Sequence, residues 1–66
     1  MTIEEIEMIK RVLTHTYKCA VINEAKALGF PASDFGEAAQ LIPRHVFLAL
    51  RDAFAAQIDV LDEIEV

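Results

Sequence analysis

The chain is 66 residues long, 55% hydrophobic and acidic, with a formal net charge of −5. That length allows one domain with a thin core, and the single cysteine, Cys19, excludes an internal disulfide framework and any zinc site built on cysteine pairs. No stretch approaches the roughly 20 apolar residues of a membrane span. No basic segment leads into an apolar run at the N-terminus, as a signal peptide would require; a cytoplasmic location, in keeping with the lone thiol, is the expectation.

Thr2 followed by Glu5 has the spacing of a capping box, and Glu4, Glu5 and Glu7 place negative charge where a helix dipole favours it. Nothing breaks the run until Gly29, Phe30 and Pro31: a residue suited to the left-handed conformation, an apolar residue to fold back, and a residue that cannot continue a helix. These signals predict a first helix over about residues 3–28. Its main apolar stripe is Ile6, Ile9, Leu13, Tyr17, Ala20 and Leu28. A second stripe, Met8, Val12, His15, Cys19 and Ile22, recurs at steps of four and three. Two stripes imply two neighbours, so the second is the candidate self-association seam.

Pro31, Ser33 and Asp34 read as turn and cap residues. Asp34 with Glu37 repeats the capping-box spacing, which predicts a short helix over about residues 35–41, weakened by Gly36. Pro43 suits the first turn of the next helix, where its missing N–H is not needed.

The third helix, expected over about residues 44–64, is the organising element. Phe47, Leu50, Phe54, Gln57, Leu61 and Ile64 line one face at steps of three and four, widened by Val46, Ala53 and Val60 on one side and Ile58 on the other. The opposite face carries Arg51, Asp52, Asp59, Asp62 and Glu63. Leu48 and Ala55 interrupt the charges, so Leu48, Asp52, Ala55, Asp59 and Glu63 form a mixed apolar and acidic strip, the candidate partner-binding surface. Asp59, Asp62, Glu63 and Glu65 put negative charge at the helix C-terminus, where the dipole opposes it, and the last turn is expected to fray.

The predicted architecture is all-α: two long antiparallel helices with a short connecting helix, paired as a homodimeric helical bundle. Chemistry is sparse. His15 and Cys19 are four apart and share a face, but two ligands do not make a metal site. His45 sits between Arg44 and Val46 in a first turn. No catalytic triad, glycine-rich phosphate loop or carboxylate pair in an apolar setting can be assembled. No catalysis, cofactor or metal is expected.

Residues 21–40 resemble a helix-turn-helix in spacing, with Ala25 and Gly29 four apart and Phe35 and Ala38 beyond. The would-be recognition helix offers Asp34, Glu37 and Gln40, with no cation before Arg44. Phosphate contacts need positive charge. The whole net charge lies after Leu28, where seven acids face only Arg44 and Arg51. A small acidic chain without chemistry suits an interaction protein: an inhibitor or anti-activator, of the kind carried by mobile genetic elements, that blocks a regulatory or nucleic-acid-handling protein through a basic or apolar surface. The alternative is a helix-turn-helix DNA-binding regulator.

Overall fold

A computed structural model describes residues 1–64. It contains three helices, α1 (Ile3–Ala27), α2 (Phe35–Leu41) and α3 (Arg44–Asp62); among the described residues there is no strand. The all-α hairpin with a short helix at its connection is the observed fold.

Each boundary has a local cause. Before α1, the Thr2 hydroxyl accepts from the Glu5 N–H at 3.1 Å, and the Thr2 N–H donates to Glu5 Oε1 at 3.1 Å, so two orphan donors are satisfied. At its end Gly29 takes φ +89°. The Phe30 N–H donates to the Ala25 carbonyl at 2.9 Å and the Gly29 N–H to the Lys26 carbonyl at 3.0 Å, which is the Schellman arrangement. Leu28, assigned to the main stripe by spacing, is instead the C-cap residue and half exposed. Phe30 folds back onto the core in its place.

Asp34 caps α2 by accepting from the Glu37 N–H at 2.8 Å. The reciprocal half of the box is not formed, since the Glu37 carboxylate takes a hydrogen bond from Ser33 Oγ at 3.4 Å. Pro43 stands at the N-cap of α3 rather than inside its first turn; its carbonyl accepts from Val46 and Phe47. α3 ends at Asp62, two residues short of the expected limit, with no basic residue in its last turn to offset the dipole. Glu65, the last acid of the predicted fraying turn, lies outside the described residues.

The hairpin is antiparallel, as Lys10 pairs with Asp62 and Tyr17 stacks on Phe54. Its core sits at one end, where Val21 and Ala25 of α1 meet Ala32, Ala38 of α2 and Ile42, with Tyr17, Phe35, Phe47 and Leu50 packed around them. Ile6 and Leu61 are buried at the other end. Of these seven buried residues three are alanine, and among the described residues Val21 is the one large side chain fully enclosed. The interior is thin for so apolar a composition.

Candidate functional site

The acidic strip is built by α3 and its C-cap residue, Glu63. Leu48, Asp52, Ala55, Asp59 and Glu63 follow at steps of four, three, four and four, which at about 100° per residue keeps them within an arc of about 80°. They run on the order of 22 Å along the axis. Asp52, Ala55, Asp59 and Glu63 are exposed and Leu48 is half-buried. This side faces away from α1 because Phe54 and Leu61 point the other way, into the seam. Arg51 Nη2 approaches Asp52 Oδ1 at 3.7 Å, both side chains being more than half exposed. Such a contact is worth little in water and leaves the strip acidic.

The second α1 stripe is distributed less evenly than its spacing suggests. Met8 is 52% exposed and Val12 60%, and His15 is also exposed. Cys19 is half-buried, its Sγ 3.5 Å from His15 Nε2. Ile22 is drawn away from the stripe and packs against the core cluster that the connection and α2 complete. The structure therefore brings His15 and Cys19 together and spends Ile22 within the monomer. Among the described residues no group of three or more His, Cys, Asp or Glu side chains could hold a metal ion.

A feature that sequence reasoning missed is a shallow groove of about 140 Å³ along the α1–α3 seam, lined by Leu13, Thr16, Tyr17, Ala20, Leu50, Ala53, Phe54 and Gln57. Gln57, placed in the buried stripe by periodicity, is exposed at its rim, and Val60, expected to widen that stripe, is 60% exposed. The signal in the sequence was the set of small residues, Thr16, Ala20 and Ala53, beside the large Tyr17 and Phe54. Small next to large leaves a hollow. The Tyr17 phenol borders it, and burial raises its pKa above the usual 10.0, opposed by the positive charge of Arg51.

In the helix-turn-helix segment, Ala25 and Ala38 are both buried and Gly29 makes the turn, so the spacing does pack. The outer side of α2 presents Glu37 and Gln40, both exposed. No described helix is long and apolar enough to cross a membrane. Comparison with protein-family models, with curated proteins and with solved structures gives no match, so surface chemistry carries the functional reading.

Proposed function

We propose that this chain is a small non-catalytic protein-interaction module, a homodimer that inhibits or anti-activates a regulatory or nucleic-acid-handling protein by occupying its basic surface. The observation that carries this is the α3 strip: exposed Asp52 and Asp59, and exposed Glu63 at the C-cap, aligned with Leu48 and Ala55 along one side of the helix. Carboxylates at fixed spacing steer a basic partner and set its register, while the apolar residues between them give contact that survives screening. A uniform charge run would only solubilise.

Affinity capture with the wild-type chain and with Asp52→Lys/Asp59→Lys tests the reading. A discrete protein retained by the first and lost by the second is the expected result; identical capture by both would refute it. The alternative, a helix-turn-helix DNA binder, draws on the packing of Ala25 against α2, but acidic Asp34 and Glu37 stand where phosphate contacts would be needed.

A further inference from the structure

The side of the hairpin that α2 leaves uncovered differs from the rest of the surface. The groove there is lined by α1 and α3 alone, whereas α2 packs against Val21 and Ala25 on the other side of the layer. On α3 the charges Arg44, Arg51, Asp52, Asp59, Asp62 and Glu63 fall within an arc of about 120° at about 100° per residue. The adjoining arc, between the charges and the seam residues Leu50, Leu61 and Phe54, holds Val46, Ala49, Ala53, Ala56, Gln57 and Val60, with no charge. Across the seam α1 contributes Val12, Leu13, Thr16, Ala20 and Asn23; the acids Glu5 and Glu24 stand at the two ends of this run, Glu5 being engaged in the capping box. Ala49, Ala53, Ala56, Gln57 and Thr16 are exposed, and Val12 and Val60 each keep 60% of their surface in solvent.

Area, shape and charge together identify what covers this face. The chain exposes 4717 Å², against about 4,200 Å² for a compact monomer of its 7.4 kDa mass. Its radius of gyration is 13.6 Å, against about 11 Å for a compact domain of this length. The chain extends 42 × 20 × 15 Å, so an identical hairpin laid along its long axis would cover up to about 800 Å² per partner, the size of a standard specific interface. Two copies each carrying −5 repel one another wherever their acids are apposed; across the uncharged middle of this face they do not.

We propose that the chain pairs with a second copy of itself through this face, chiefly Val12, Thr16 and Ala20 of α1 with Ala49, Ala53 and Val60 of α3. The result is an isologous four-helix bundle. The alanines let the backbones approach closely, and the groove over Tyr17 and Phe54 takes an apolar side chain of the other copy; a cavity of similar size accommodates benzene. This deepens the homodimer part of the function above and leaves the acidic strip on the outside, free for a different partner. Met8 and His15 fall away from the interface.

Sedimentation equilibrium and circular dichroism decide it, using wild type, Ala53→Glu, Val60→Glu, Met8→Glu and Ala55→Glu. Wild type, Met8→Glu and Ala55→Glu should be dimers at about 10 µM. Ala53→Glu and Val60→Glu should weaken pairing by at least about 100-fold with helix content retained, because each buries a charge without a partner. Both positions are exposed in the single chain, so the monomer tolerates them. A wild type still monomeric at about 100 µM, a dimer that survives both glutamates, or one split by Met8→Glu alone would overturn the proposal. The Asp52→Lys/Asp59→Lys chain should remain dimeric, so failure of the acidic strip and failure of this interface read out separately.

Discussion

The ring of Tyr17 lies nearly flat against that of Phe54, with centroids 4.7 Å apart and planes 15° apart. Phe35 of α2 leans on Tyr17 at 5.4 Å and Phe47 on Phe35 at 6.4 Å, so four rings run from α3 through α1 and α2 and back to α3. With alanine filling much of the buried core, these half-buried rings do the joining. Aromatic pairs of this kind add about 0.5–1.5 kcal/mol beyond their buried area.

Phe54→Ala should therefore be among the most damaging single changes. A fully buried Phe→Ala costs about 3–5 kcal/mol; Phe54 is half-buried, which brings the expectation to roughly 2–4 kcal/mol. Leu50→Ala, also half-buried, should cost about 1–3 kcal/mol. Ala55→Ser on the exposed side should change stability by under about 0.5 kcal/mol. Urea melts that ranked Ala55→Ser first would reverse the facing of α3.

The two glycines should respond to alanine with opposite signs. Gly29 holds φ +89° with nothing within 4 Å of an added methyl, so Gly29→Ala meets only backbone strain, about 1–2 kcal/mol of destabilisation. Gly36 lies in the first turn of α2, where an added Cβ meets Asp34 Oδ1 at an ordinary 3.6 Å. Gly36→Ala should stabilise by about 0.5–1 kcal/mol. Thermal melts of the pair check both signs, and a stabilising Gly29→Ala would deny the left-handed cap.

Signals confined to a few residues were legible in the sequence. The Thr2–Glu5 box, the Gly29–Phe30–Pro31 stop and the Asp34 cap each act within one turn, so their spacing set the limits of α1 and the start of α2 to within one residue. The covering of each helix face was not legible, because it depends on where α2 comes to rest. α2 packs on the Val21 and Ala25 side, takes up Ile22, and leaves Gln57 and Val60 uncovered. Periodicity marks residues that share a face; it carries no information on which side of a two-helix layer the connection falls. The acidic strip was legible as a pattern because it lies on one helix, whereas the seam groove needed two.

Tyr17 should make stability fall at alkaline pH. Burial raises its pKa in the folded chain above the unfolded value near 10, so the folded state holds its proton more tightly. Its contribution is fully present below about pH 10 and is lost as pH rises through the folded pKa. Tyr17 is the single tyrosine, so tyrosinate absorbance titrates it alone and should show a midpoint above 10.0. A midpoint at or below that value would contradict the burial of the phenol. Tyr17→Phe should remove this alkaline loss.

Duplex DNA should bind negligibly at physiological salt. Non-specific affinity comes from cations that release counterions from phosphate, and the segment that resembles a helix-turn-helix puts Asp34, exposed Glu37 and exposed Gln40 on and before α2, with Arg44 the first cation after it. Of the remaining cations, Lys10 is held at 2.6 Å by Asp62 and Arg51 adjoins Asp52, while exposed Arg11, Lys18 and Lys26 lie on α1 rather than α2. A protein partner engaged through α3 would show a modest salt dependence, because Leu48 and Ala55 contribute contact that ions do not screen. DNA binding would instead weaken steeply with salt, at about one power of salt concentration per phosphate contacted. Fluorescence anisotropy with labelled duplex across a salt series separates the two. Sub-micromolar binding at about 150 mM salt, abolished by substitutions at Glu37 and Gln40, would transfer the function from the acidic strip to α2, since specific complexes reach that range and adventitious ones do not.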